Sequence, residues 1–194
     1  MEPARITATD LACRRGDRLL FSGLSFELNA GEALQVVGPN GTGKSSLLRI
    51  LAGLLRPAAG AVERKGGVAL LDDRLPLDEN LSLDRALAFW ERIDRGGYGP
   101  ARRAVLGLDK LADVPVRFLS TGQRKRTAFL QSNPWVTPIW LLDEPLNGLD
   151  TAGVAFVQEE VAATLVHGAI AVIASHQPFD VPGLKRLDLR DFAA

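Results

Sequence analysis

Cysteine is almost absent from this chain. Cys13 stands alone, which rules out an intramolecular disulfide and fits a reducing compartment. Neither sign of charge is in excess: Lys and Arg total 23, Asp and Glu total 23, and the pI is near neutral. No basic face therefore argues for nucleic acid as a partner. Long apolar runs are missing too. The longest, around Ile139 to Leu142 and Ala169 to Ala174, are strand-length, well short of the roughly 20 residues that a membrane helix needs. The chain is not expected to span a bilayer, which leaves docking on a membrane protein open. No charged n-region precedes an apolar h-region at the N-terminus, so no secretory signal is expected. Internal repeats and low-complexity tracts are also lacking. What remains is 194 residues, 46% of them apolar, enough for one sizeable α/β core and too few for two ordinary domains.

What is present is organised around Gly38-Pro39-Asn40-Gly41-Thr42-Gly43-Lys44-Ser45. The apolar run Ala33 to Val37 precedes it, and Leu47, Leu48, Ile50, Leu51 and Leu54 follow at helical spacing. Strand, glycine-rich loop and helix in that register form the setting in which G-x-x-x-x-G-K-[ST] cradles phosphate. Glycines let the backbone fold back so that successive N–H groups point inward, and the helix adds its positive end. Lys44 offers a point charge to the β- and γ-phosphates, and the Ser45 hydroxyl is placed to ligate Mg²⁺. Ser46 completes the set of nucleotide contacts expected here. A second constellation lies at Leu141-Leu142-Asp143-Glu144, where two carboxylates end an apolar strand. Ionised groups there are costly without a partner. Asp143 fits holding the Mg²⁺ hydration shell and Glu144 fits polarising an attacking water; the plainer alternative is a solvated strand end.

In chain order, Arg5 to Cys13 and Leu24 to Leu28 read as strands around the turn Arg14 to Asp17. The helix from Lys44 is ended by Pro57 and Gly60, and Ala61 to Leu71 looks like a strand pair broken at Gly66-Gly67. From Leu75 to Phe118 the character turns helical. Leu83, Ala86, Leu87, Trp90 and Ile93 form one stripe after Ser82 as N-cap, Gly96 to Pro100 breaks it, and a second amphipathic piece runs through Val105, Leu108 and Leu111. A further helix is expected from Thr121 to Gln131, stopping before Asn133-Pro134. After the strand Pro138 to Leu142, Asp150 caps a helix with the stripe Val154, Val157, Val161 and Leu165, and Ala169 to Ser175 is read as the last central strand. Alternating strands and helices imply a mostly parallel sheet with its chemistry at the strand C-termini. The segment at about 75–132 reads as a helical insertion in one domain spanning 1–194.

Leu119-Ser120-Thr121-Gly122-Gln123 alone would be an ordinary helix N-cap. In order with the phosphate loop, the LLDEP strand end at 141–145 and Ser175-His176, however, it makes the whole chain resemble an ABC-type ATPase. That resemblance implies a core with a mostly parallel sheet, a small antiparallel β subdomain and a helical subdomain. It also implies a homodimer with ATP sandwiched between subunits. Ser120, Gly122 and Gln123 of one copy would then close on the γ-phosphate held by the other, Glu144 would act as catalytic base, and His176 would sense the γ-phosphate. Leu149-Asp150 matches the end of the loop through which the two sites communicate.

Two positions depart from the family pattern. Arg15 stands where an adenine-stacking aromatic is usual; its guanidinium plane is a substitute, or Phe21 or another group takes the part. Asp73 falls where a metal-linked glutamine is usual, and a carboxylate there would also reach the Mg²⁺. Within the family the chain is similar to the haem-exporter ATPases of cytochrome c maturation, through Leu20 to Phe26, Asn29 to Glu32, Ala88-Phe89-Trp90 and Ser175 to Pro178. The implied partners are integral membrane subunits, reached from the cytoplasmic face of a bacterial inner membrane. The implied work is haem export or release of a haem-loaded chaperone. Direct haem binding is not expected, since C-x-x-C-H is absent and His167 and His176 are the two histidines. An ABC ATPase for another cargo, or a soluble one of DNA repair or translation, is the alternative. Against the soluble class stand the missing coiled coils, second cassette and basic surface. A small-molecule kinase would leave LSTGQ and Ser175-His176 unexplained.

Overall fold

The computed structural model describes residues 2–72, 74–93, 99–131 and 137–193. They fall into two compact units, Met1–Asp72 with Pro134–Ala194, and Asp73–Asn133. In the first unit, β1 (Arg5–Arg15) and β2 (Arg18–Asn29) form a long hairpin, and β4 (Ala59–Lys65) joins the other edge of β1 to complete an antiparallel three-stranded sheet. Strand β2 starts well before the Leu24 expected from alternation. Register shifts between Ala8 and Cys13 break the alternating pattern opposite Phe21 to Leu24, so its first half does not read as a strand.

The second sheet is parallel, in the order β5-β6-β7-β3-β8, with β3 (Ala33–Val37), β5 (Val68–Leu71), β6 (Ile139–Asp143), β7 (Ile170–Ala174) and β8 (Lys185–Asp188). β3 and β7 are buried along their whole length, and β6 is buried up to Asp143, which explains their continuous apolar sequences. Helix α1 (Lys44–Leu51) packs on β6 and β7, and α5 (Thr151–Val166) packs on β7. The Asp150 side chain caps α5 by accepting from the Gly153 N–H at 2.8 Å.

Two expectations need correction. Ala61 to Leu71 holds two strands on either side of Gly66-Gly67, as expected, but they do not pair with each other. β4 and β5 belong to different sheets: polar, exposed β4 joins β1, whereas the Val-Ala-Leu-Leu run of β5 pairs with β6. Helix α1 ends at Leu51, well before Pro57. Gly53 at φ 78° turns the chain, and Leu54, bonded back to the Arg49 carbonyl, lies exposed. β7 at Ile170–Ala174 is the last central strand, as expected of Ala169 to Ser175. β8 adds an edge strand whose sequence, Lys-Arg-Leu-Asp, carries no apolar alternation.

The Asp73–Asn133 unit holds α2 (Leu83–Ile93), α3 (Pro100–Val105) and α4 (Thr121–Gln131). The expected second amphipathic piece is interrupted at Gly107, φ 64°, so Asp109–Leu111 forms a separate 3₁₀ turn. Arg103 pins α3 to α2 through Asp84 at 2.6 Å and Glu91 at 2.7 Å. Arg124 on α4 meets Glu79 at 3.3 Å, and its other guanidinium nitrogens donate to the Leu119 and Arg117 carbonyls. The breaks expected at Gly96 to Tyr98 and at Asn133-Pro134, and the metal role expected of Asp73, lie outside the described residues.

Candidate active site

Three adjacent strands of the parallel sheet deliver the phosphate loop and the acidic pair to one edge. β7 lies between β6 and β3, with Asp143 and Val36 both level with Ala174. The chain leaving β3 becomes the glycine loop, that leaving β6 carries Glu144, and that leaving β7 carries Ser175-His176. Backbone bonds from Glu144 to the Ala174 carbonyl, 2.8 Å, and from Ser175 to the Val36 carbonyl, 3.2 Å, extend this pairing beyond the strands.

The loop depends on two glycines. Gly38 has φ 147°, and a Cβ there would meet the Thr42 Oγ1 at 2.9 Å. Thr42 is held in that position by its hydroxyl, which donates to the Pro39 carbonyl at 2.9 Å. Gly43, φ 108°, precedes α1 without a side-chain cap, and a Cβ there would meet the Phe21 ring at 3.1 Å. Helix α1 therefore begins with backbone N–H groups that no side chain at Gly43 caps, the arrangement that anions seek.

Lys44 is buried and curls back on its own loop. Its Nζ donates to the Gly38 carbonyl at 2.9 Å and the Pro39 carbonyl at 3.5 Å, and it lies 3.6 Å from Glu144 Oε1. Glu144 Oε2 in turn meets His176 Nδ1 at 2.9 Å. Glu144 adopts φ 46°, a left-handed conformation uncommon for a glutamate, which turns its side chain off the strand line. The Ser45 hydroxyl donates to Asp143 Oδ1 at 3.0 Å. Lys44, Ser45, Asp143, Glu144 and His176 thus form one continuous group.

A cleft of about 250 Å³ opens beside it, lined by Leu20, Asn40, Gly41, Gly43, Lys44, Ser45, Ser46 and Glu144. Arg15, exposed at the end of β1, is not on this wall. Phe21 cannot take the adenine-stacking part. It is fully buried under Gly43 with no face to offer a base. Leu20 is the hairpin side chain that does reach the cleft, and no motif marked it. Below the loop, burial pushes the Cys13 thiol up from its ordinary value, more than a hydrogen bond with Ser46 lowers it.

Mg²⁺ prefers oxygen donors at about 2.1 Å in octahedral geometry, so adjacent donors sit about 3 Å apart. The Ser45 and Asp143 oxygens, 3.0 Å apart, fit that edge. Among the described residues no cluster of three or more His, Cys, Asp or Glu could hold a metal by itself. The described residues leave the remaining ligand positions to phosphate and water.

In the other unit, Ser120 and Gln123 cap α4 reciprocally. Gln123 Oε1 accepts from the Ser120 N–H at 2.8 Å, and Ser120 Oγ accepts from the Gln123 N–H at 3.3 Å. Ser120 is exposed and Gly122 half-buried at the helix tip. Asp72, beside the expected metal-linked position, lies 3.8 Å from Arg49.

Other residues of this edge were given no role in the sequence, Gln177 being noted only within the Ser175 to Pro178 stretch. Gln35, buried in β3, donates from Nε2 to the Gln177 carbonyl at 2.8 Å, and Gln177 Nε2 donates to Asn147 Oδ1 at 3.1 Å. The one available signal was a glutamine inside the otherwise apolar run Ala33–Val37.

Known proteins share this architecture. Residues 21–147 match the family model described as ABC transporter. The cytochrome c biogenesis ATP-binding export protein CcmA of Novosphingobium aromaticivorans is 54% identical over 192 residues, 99% of each chain. The protein of the same name from Zymomonas mobilis is 49% identical, over 98% of this chain and 87% of its own. Among solved structures, a metal-chelate type ABC transporter in an inward-facing conformation superposes with a TM-score of 0.80 at 25% identity, over 96% of this chain and 80% of its own. An ABC transporter ATP-binding protein from Pyrococcus furiosus, at 18% identity, shares the fold with the same TM-score. With the phosphate loop, the acidic pair and the histidine gathered at one sheet edge, the chain belongs to the ABC transporter ATPases.

Proposed function

We propose that this chain is the ATP-hydrolysing subunit of a bacterial inner-membrane ABC exporter that serves cytochrome c biogenesis, by haem export or by release of a haem-loaded chaperone. The observation that carries the hydrolytic part is two side-chain groups on neighbouring residues beside the cleft, Ser45 with Asp143 at 3.0 Å, and Glu144 with Lys44 at 3.6 Å and His176 at 2.9 Å. The cargo rests on relatives of near-equal length named for cytochrome c biogenesis export.

The chemistry follows from the groups in place. When a triphosphate enters, Lys44 exchanges the Gly38 and Pro39 carbonyls for phosphate oxygens, and the N–H groups from Gly41 to Ser46 close around the β-phosphate. Ser45 and Asp143 would hold Mg²⁺, which when bound neutralises charge on the β- and γ-phosphates. Glu144 releases His176 and orients a water toward the γ-phosphorus, accepting its proton as the O–P bond to ADP breaks. His176 turns to a γ-phosphate oxygen. Ser120, Gly122 and Gln123 of a second copy present the α4 tip to the same phosphate, where the N–H groups of a helix start suit an anion. Arg15, off the cleft wall, would have to reach the base from the hairpin end, and a metal role for Asp73 rests on the family resemblance alone.

No described helix is long and apolar enough to cross a membrane, so movement of cargo falls to integral membrane subunits. The chain would bind them from the cytoplasmic face. It is not expected to bind haem: His176 is engaged with Glu144, and His167 ends α5. Nor is nucleic acid expected, given balanced charge. The testing experiment is copurification from native membranes with the partners identified by mass, alongside ATPase assay of Glu144→Gln. Cytochrome-maturation subunits and loss of turnover are expected; a different permease would overturn the cargo, and undiminished hydrolysis the role of Glu144.

A further inference from the structure

We infer that Gln177 is a positioning residue for hydrolysis: its side-chain amide ties the loop carrying His176 to the loop carrying Glu144 and so sets their separation. The inference rests on the roles proposed above for those two groups.

His176 and Glu144 leave the sheet from neighbouring strands, and side-chain bonds join the loops that follow. One is the contact between the two groups themselves, at 2.9 Å. Another is Gln177 Nε2 to Asn147 Oδ1, at 3.1 Å. Asn147 belongs to the turn that Glu144 begins, since its N–H donates to the Glu144 carbonyl at 3.2 Å. Gln177 is held as firmly on its own side. Its carbonyl accepts from Gln35 Nε2 at 2.8 Å and from Ser175 Oγ at 3.2 Å, and its N–H donates to Ser175 Oγ at 3.0 Å. Gln35 is 7% exposed and Ser175 0%. Polar groups that deep are costly unless bonded, so their presence is accounted for by what they hold. They fasten the Gln177 backbone to β3, the strand that runs into the phosphate loop.

The two bonds have different fates in the cycle. The bond between His176 and Glu144 uses the groups that must turn to phosphate and to water, so it breaks when both take up those tasks. The amide pair uses neither and persists. Without it, Glu144 and His176 keep the backbone bond at the strand ends, but the side-chain bond between them is one that catalysis requires them to give up. Misplacement of a reacting group by about 1 Å costs up to about 100-fold in rate, so loss of this tie should cost roughly tenfold. Nucleotide affinity should be spared, because the tie touches no phosphate-loop contact.

The test is steady-state ATPase activity of the full chain, in the complex that copurifies with it from membranes. Gln177→Ala is expected to lower kcat about tenfold, with KM for Mg-ATP within about twofold. Asn147→Ala should do the same, and the double variant no more, because each removes the same bond. The exchange Gln177→Asn with Asn147→Gln keeps two amides at the same summed length and should recover most of the rate, which general damage to the fold would not allow. Additive losses, a rise in KM in place of a fall in kcat, no recovery in the exchange, or an unchanged kcat in Gln177→Ala would overturn the inference. Glu144→Gln in the same series separates the failures. If it is inactive while Gln177→Ala is unimpaired, the positioning role alone is wrong; if it is fully active, the premise is.

Discussion

Substituting the phosphate-loop glycines one at a time separates what the loop does for the fold from what it does for the ligand. Gly41 and Gly43 both have positive φ, 81° and 108°, and both line the cleft. At either, alanine accepts a backbone conformation costing about 1–3 kcal/mol. The surroundings then diverge. A Cβ on Gly41 meets nothing within 4 Å, whereas one on Gly43 meets two Phe21 ring atoms at 3.1 Å and Leu20 Cδ1 at 3.3 Å. Phe21 is fully buried and cannot retreat, so overpacking adds about 1–3 kcal/mol at Gly43 alone. Gly43→Ala should therefore be the less stable variant by about that second increment, measured by urea unfolding with the slope unchanged. Phe21→Leu in the Gly43→Ala background should return part of it. Gly41→Ala, whose methyl group enters the open cleft, should lose most of its affinity for a fluorescent ATP analogue while its stability falls by the backbone cost alone. Equal destabilisation of the two variants, or no relief from Phe21→Leu, would refute the packing argument.

Three other outcomes follow from particular contacts. Ser45→Ala removes one of two oxygens 3.0 Å apart, so the Mg²⁺ dependence of nucleotide binding should weaken about tenfold or more while metal-free ATP binding changes little, as magnesium titration would show. The Arg190 guanidinium holds the Asp188 carboxyl down to about 2 from 3.8, so its contribution is complete above pH 3.8 and is lost as pH falls through about 2. Acid unfolding of the native chain should show a component in that window that Asp188→Asn lacks; parallel profiles would contradict it. Cys13 is buried with its thiol raised by desolvation, so a thiol reagent at neutral pH should label it only as fast as the chain opens, and urea should accelerate the reaction.

The parts legible in the sequence are those in which one local pattern determines the outcome. The phosphate loop, the acidic strand end and the start of α4 each declare themselves within a few residues, because backbone conformation and side-chain type there are coupled. What escaped depends on distant partners. β8 has no apolar rhythm because it is an edge strand whose pairing with β3 needs backbone groups alone. β2 was cut short by bulges that shift its alternation against β1. Phe21 read as a stacking candidate, since nothing local reveals that Gly43 lies on its ring. The ties among Gln35, Asn147 and Gln177 span up to 142 positions, beyond any spacing rule.

The central claim is that ATP is gripped by the loop of one copy and sealed by the Ser120 helix tip of another. Sedimentation of Glu144→Gln at high protein concentration, with and without Mg-ATP, tests it most directly. The account predicts a shift from the 20.9 kDa chain to twice that mass on adding nucleotide, abolished by Ser120→Arg. A species that binds ATP yet remains at 20.9 kDa, or a dimer indifferent to the change at Ser120, would contradict it.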